Sequence, residues 1–248
     1  MRKVLTQGIV LRVVKYGDTS IITSIYTLHF GIQSYMVKGV RVTNKKGGGK
    51  ANLFQPGNIL DLQVTHSESN KMEYIHESNL GYLYQNMYAH VPKYSVSLFI
   101  VELLGKTLKA PEPNEDLFYF LKALFVFIDE CESRELANIP LYFALHVSHY
   151  FGLMPEASLH QTEEPIYFDL QNGLFENHTP LHAHYISGEL AEATRLLLCV
   201  SKLPDLSSIK INLLQRRELM QAYEKFYQIH FPDFGVLKTL PVLKEVLG

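Results

Sequence analysis

Cysteine is scarce in this chain: its 248 residues include two, Cys131 and Cys199. No CxxC occurs, which excludes a paired-thiolate zinc site, and a lone pair of distant cysteines excludes a disulfide framework. Both lie in segments that read as apolar helices, where they are expected to be buried small hydrophobes. Long apolar runs are missing as well, since none reaches the ~18 residues of a spanning helix. Met1-Arg2-Lys3-Val4-Leu5 passes into alternating pattern without a signal h-region, so a cytoplasmic protein without a membrane partner is expected. Catalytic signatures are equally sparse. There is no GxSxG and no P-loop; Gly47-Gly48-Gly49-Lys50 lacks the following Ser or Thr and the preceding glycine. His146 and His149 stand at helical spacing without an HExxH, and nothing pairs a nucleophile with a base. A protein that is not an enzyme and carries no cofactor is expected.

Acidic residues are nearly absent from the first fifty positions, where Asp18 faces nine bases: Arg2, Lys3, Arg12, Lys15, Lys38, Arg41, Lys45, Lys46 and Lys50. That segment carries +8, so the remainder must carry −10 for the total of −2. A basic bias confined to one module is the footprint of a polyanion-binding surface. The same module reads as strands: Gly8 to Val14, Ser20 to Thr27 and Ile32 to Lys38, parted by the turns Tyr16-Gly17-Asp18 and His29-Phe30-Gly31. Ile59 to His66 and Met72 to Ser78 alternate likewise, giving five short strands and a small barrel. Val42 to Asn52, with three glycines and three lysines, is expected to be a mobile basic loop.

After Asn79 the period changes to that of helices. Leu98, Val101, Leu104 and Leu108 mark one stripe; Leu117, Phe120, Leu124 and Phe127 mark another, entered through Pro113 with Asn114 as cap. Ile139 to Phe151 is a third helix, ended by Gly152 and Pro155. Ile166 to Glu176 reads as an isolated hairpin turning at Asn172-Gly173. Helical pattern resumes from Ser187 to Lys202 and Asn212 to His230, with a short helix after Lys238. The fold class is α+β: a five-stranded barrel over residues 1–80, then a mainly helical domain over 81–248 with a small β-hairpin insertion near 160–186.

Single strands of nucleic acid are held by cationic grooves with aromatic platforms. Tyr16, Tyr26, Phe30 and Tyr35 lie among the bases, although half of all strand positions point inward. Arg12, Lys15, Tyr16, Tyr35, Lys38, Arg41, Lys45, Lys46 and Lys50 are the candidate DNA-binding residues. His178, His182 and His184, with His160 upstream, invite a metal reading, but their spacing is not that of a zinc site. No metal ligand is assigned.

Gly8-Ile9-Val10-Leu11-Arg12, Tyr16-Gly17-Asp18, Thr27 to Gly31 and Val37-Lys38-Gly39-Val40-Arg41 together resemble the amino-terminal barrel of the bacterial recombination mediator family RecO. The resemblance continues through Leu53-Phe54-Gln55-Pro56-Gly57, Phe151-Gly152-Leu153-Met154-Pro155, and Tyr223 to Leu243 with His230 and Leu237-Lys238-Thr239-Leu240. It implies an OB-fold followed by a helical domain. Many members insert a zinc ribbon with two CxxC pairs after the helix that ends in Gly and Pro; here Ile166 to Tyr185 lie there without cysteine. It also implies a DNA repair and homologous recombination factor, bacterial and nucleoid-associated. Such proteins bind single- and double-stranded DNA, anneal complementary strands, and with RecR help load RecA onto strands coated by single-strand-binding protein. The family's helical body docks that protein's acidic, apolar C-terminal tail, for which Arg134, Arg195 and Lys202 are the candidate cations, around a slot between Leu98 and Leu203. Two other classes compete: an OB-type RNA- or ribosome-binding module, and a histidine-metal hydrolase.

Overall fold

A computed structural model of the chain describes residues 2–40, 50–66, 73–153, 155 and 166–247. Two compact units emerge, one formed by Met1–Ala89 with Leu104–Asp129, the other by His90–Leu103 with Glu130–Gly248. Among the described residues no helix is long and apolar enough to cross a membrane.

The first unit is built on a closed barrel of β1 (Arg2–Tyr16), β2 (Ser20–Thr27), β3 (Gly31–Val37), β4 (Ile59–His66) and β5 (Glu73–Leu80), in the order β1-β2-β3-β5-β4. The first strand is longer than its pattern suggests because it serves two neighbours: Arg2 to Ile9 pair with β4, and Gly8 to Tyr16 pair with β2. An irregularity between Val10 and Arg12 lets it turn from one partner to the other. The parallel pairing of β3 with β5 closes the ring. Val10, Ile25, Tyr35, Leu60 and Val64 fill the interior, joined by Val40 and Phe54 from either side of residues 41–49. Gly31, at φ +62°, admits no side chain, since a Cβ there would lie 2.4 Å from the Glu112 carbonyl oxygen.

Two helices follow, α1 (Val91–Thr107) and α2 (Glu115–Glu130). Asn114 caps α2 as expected, its Oδ1 accepting the Leu117 N–H at 2.9 Å. The buried face of α2 is Leu117, Leu121, Leu124, Phe125 and Ile128, whereas Phe120 and Phe127 are half-buried. The expected stripe therefore lies one step round the helix, an ambiguity built into a segment that is apolar on several sides. Phe118 packs against Tyr26, whose hydroxyl donates to the Asn114 carbonyl at 3.1 Å. Near the end of α2 the Asp129 carboxylate accepts the N–H groups of Gln85, Asn86 and Met87 at 2.8, 2.7 and 2.6 Å.

The second unit gathers residues Val91–Leu103 of α1 with α3 (Ser133–Ser148), α4 (Glu189–Leu198), α5 (Leu213–His230) and α6 (Leu240–Val246). Its core includes Phe99, Phe143, Tyr223 and Tyr227; the Tyr227 hydroxyl donates to the Ala144 carbonyl at 2.7 Å. Glu102 ties α1 to the entry of α6, accepting the N–H groups of Lys238 and Thr239, each at 2.8 Å. Gly152, at φ +74°, closes the α3 segment where the sequence puts its stop. Cys131 is buried, which pushes its thiol up to about 11. Cys199 departs from expectation: it is exposed at the end of α4, because the helix stops one residue short of it.

The expected hairpin is present as β6 (Tyr167–Asp169) and β7 (Leu174–Glu176), turning at Gly173, φ +68°. A further strand, β8 (Tyr185–Ser187), makes it a three-stranded sheet in the order β7-β6-β8. Three residues are too few to show a period. Asp169 holds this sheet at its turn. Its Oδ1 accepts the N–H groups of Gln171 and Asn172 at 2.7 and 3.2 Å; its Oδ2 meets Asn172 Nδ2 at 2.8 Å and His182 Nε2 at 3.1 Å. Burial pushes this carboxyl up, but the hydrogen bonds and His182 outweigh it, and the net position is below its ordinary 3.8.

Asp169→Ala removes the acceptor for four donors and is expected to cost roughly 2–3 kcal/mol, measured by urea unfolding at pH 7. A carboxyl depressed in the folded state contributes fully above its unfolded value and less as pH falls through its folded one. The gap between wild type and Asp169→Ala should therefore narrow as pH drops below 3.8. A gap that is absent at neutral pH would show that other contacts hold the sheet.

Candidate nucleic-acid interface

Pairing across β1, β2, β3 and β5 decides which side chains share the outer surface of the barrel. Val13, Thr23, Tyr35 and Glu73 form one rung, and the last three are 0%, 0% and 5% exposed, so this rung points inward. Successive residues on a strand point to opposite faces, and the rungs on either side must point outward. One holds Arg12, at its β1 end, with Ser24 and Ser34. Beyond the inward rung come Val14, Ile22, Met36 and Tyr74. A third outward row begins with the pair Tyr16 and Ser20 and includes Lys38, which follows Val37 on β3. Neighbouring outward rows are separated by about 7 Å, two residues along a strand.

This face presents cations and rings, and among the described residues its three rows carry no acid. Of its cations Arg12 and Lys38 are exposed, and Tyr16 is 51% exposed; Lys15, on the intervening rung with buried Ile21 and Val37, and Lys50, on the turn before β4, are exposed as well. The Lys38 ammonium lies 5.0 Å from the centre of the Tyr74 ring. Acids collect elsewhere on the barrel, where Asp61 and Glu77 line a separate hollow beside Leu5 and His29. The barrel is polarised within itself.

Tyr35 does not belong to the surface. It is fully enclosed in the barrel core, its phenol held above its usual range by burial and by Glu73, so it has no free face for a base. Tyr26 is buried too, and Phe30 stacks on His66 at 4.0 Å. Arg41, Lys45 and Lys46 lie outside the described residues. Sequence reasoning missed Val14, Ile22, Met36 and Tyr74. The alternation of β5 held the signal for Tyr74, but which half of an alternation faces outward follows only from the pairing.

The family model described as Recombination protein O N terminal matches residues 1–84, and that described as Recombination protein O C terminal matches residues 90–236. The chain belongs to the RecO family. It is 31% identical to the DNA repair protein RecO of Christiangramia forsetii over 98% of each chain, and equally so to that of Phocaeicola vulgatus. The DNA repair protein RecO of Flavobacterium psychrophilum is 30% identical over 99% of this chain and 100% of its own.

In the helical unit the three candidate cations have different surroundings. Arg195 is engaged by its own helix, its Nε and Nη2 donating to Glu192 at 2.7 and 2.5 Å. Lys202 is exposed at the start of a short turn, Leu203–Ser208. Arg134 lines a cleft of about 530 Å³ with His90, Lys93 and Leu136. A different feature combines apolar walls with cations: between α3, α5 and α6, Pro140, Leu141, Met220 and Leu243 flank Arg216, Arg217 and Lys244. Its cations lie beyond the expected limit at Leu203, because two adjacent arginines in a largely polar α5 and a lysine on α6 give no sequence sign of a slot. The histidines have local partners: His182 bonds Asp169, and His178 lies 3.3 Å from Glu176. Among the described residues no group of three or more His, Cys, Asp or Glu converges to hold an ion.

Contacts between these cations and phosphates would make affinity for a single strand depend on salt with a slope of roughly −0.7 per contact. With about five contacts, a fourfold rise in salt should weaken binding on the order of a hundredfold, as read by fluorescence anisotropy with a labelled oligonucleotide. A flat salt response would show that these cations are only a solvated face.

Proposed function

We propose that this chain is a recombination mediator: it binds single- and double-stranded DNA, anneals complementary strands, and acts with RecR in loading RecA onto strands coated by single-strand-binding protein. It does so without catalysing a covalent step. The observation that carries this reading is the outer barrel face, where cations, hydroxyls and rings flank an apolar row and the described residues of these rows include no acid, in a chain of the RecO family. Annealing needs a surface that screens the repulsion between two phosphate backbones while leaving their bases able to pair, and exposed Arg12, Lys15, Lys38 and Lys50 provide such screening. Arg41, Lys45 and Lys46 add charge in the same stretch of sequence.

For the tail of single-strand-binding protein, the slot between α3, α5 and α6 suits an apolar anchor, and Arg216, Arg217 and Lys244 suit its acids. The Arg134 cleft has cations with less apolar wall, which makes it the second choice. Arg216 and Arg217 also donate to the carbonyls of Leu247 and Lys244, so Lys244 is the cleaner residue to change.

Mixing complementary oligonucleotides should show protein-dependent annealing without nucleotide hydrolysis, sustained when the strands are coated. A labelled tail peptide should bind the full chain, and Lys244→Glu should weaken that binding at least fivefold while Arg134→Ala leaves it unchanged. The reverse pattern would move the tail to the Arg134 cleft. Failure to anneal, with preference for RNA, would favour an RNA-binding module instead.

A further inference from the structure

The middle row of the outer barrel face is apolar. Val14 is 44% exposed and Tyr74 36%, with half-buried Ile22 and Met36 between them on the same rung. Four such side chains in line, three strand intervals long or roughly 14 Å, form a continuous hydrophobic strip in contact with water. On one side lies Arg12 with Ser24 and Ser34; on the other lie Tyr16, Ser20 and Lys38. Apolar in the middle, cationic at both margins and, among the described residues of these rows, free of acids, the strip matches a ligand with flat apolar groups on a flexible, negatively charged thread. A lipid headgroup would meet the cations but has no flat group for the strip, and an acidic peptide would place its charges irregularly.

We propose that the row Val14–Ile22–Met36–Tyr74 is the platform on which bases of a single strand stack, with Tyr74 as the principal stacking ring. The inference rests on the DNA-binding reading above and adds to it which atoms meet the bases. Lys38 guards the platform: its ammonium covers the Tyr74 ring in the free protein, and it moves to a phosphate when a base takes that place. Except for the Tyr74 hydroxyl the row has no group that reads a base edge, so recognition is sequence-tolerant. A duplex hides the faces of its bases and gains the phosphate contacts alone. Single strands are therefore favoured on this face through stacking rather than charge.

The test compares a labelled oligothymidylate, an abasic oligonucleotide with the same number of phosphates, and the full-length chain with Tyr74→Ala or Tyr74→Phe. Wild type is expected to bind the thymidylate about tenfold more tightly than the abasic strand, in keeping with a base stacked on one ring. Tyr74→Ala should lose most of that margin while keeping wild-type affinity for the abasic strand and the same salt slope; Tyr74→Phe should keep the margin. Unchanged abasic binding also shows that the variant is folded. Because the chain contains no tryptophan, Tyr74→Trp is a single-site reporter whose emission the thymidylate should quench and the abasic strand should not. Equal affinity for the two strands, or full thymidylate affinity in Tyr74→Ala, overturns the platform while leaving salt-dependent DNA binding in place. Absence of salt-dependent binding to either strand overturns the DNA-binding reading itself.

Discussion

Pairing between β1 and β2 governs what this barrel shows to solvent. Side chains alternate along every strand, so a shift of one residue would turn Arg12, Val14 and Tyr16 into the core and bring Val13 out. The irregularity between Val10 and Arg12 is where that phase is set, since it lies within the stretch paired with β2, just past Ile9 where pairing with β4 ends. Closure through the parallel contact of β3 with β5 extends the same phase to a fourth strand, which is how Tyr74 comes to share a row with Val14, sixty positions earlier. Inward residues such as Tyr35 and Val64 enforce this arrangement, because no other register buries them.

A second recurring device is the carboxylate that gathers backbone N–H groups. Asp129 holds residues 85–87, Asp169 holds 171 and 172, and Glu102 holds 238 and 239. In each case a loop whose amides would otherwise need water is fixed to a regular element by charge-assisted hydrogen bonds. Loops of different sequence are made rigid by one kind of interaction. Around Asp169 this supports a sheet of three very short strands, which backbone pairing alone would leave marginal.

Much of the architecture was legible because it depends on local pattern. Strand alternation marked the barrel, Asn114 marked the start of α2, Gly152 ended the α3 segment, and Asn172-Gly173 marked the turn between β6 and β7. The cations Arg12, Lys15 and Lys38 were legible as exposed candidates for the simple reason that a charge is seldom buried. What depends on distant partners was not legible. Alternation cannot say which half of a strand faces inward, so the pattern alone offers Tyr35 as a surface ring and does not single out Tyr74. A helix apolar on several sides does not reveal which side its neighbours will choose, as α2 illustrates. The slot beside Arg216, Arg217 and Lys244 draws on three helices, none of which carries it alone.

Val40 and Phe54 are 1% and 2% exposed in the same core, and they fasten the chain on both sides of residues 41–49. The strands they stabilise are thus anchored on both sides of that stretch, whatever its sequence. The entropy of closing such a connection grows with the logarithm of its length, about 0.6 kcal/mol for each doubling. Lysines and glycines can be gained or lost there at small thermodynamic cost, while a single substitution at Gly31 meets the Glu112 backbone. Within one small barrel, variation is cheap in the connection that carries Lys45 and Lys46 and expensive in the turn before β3.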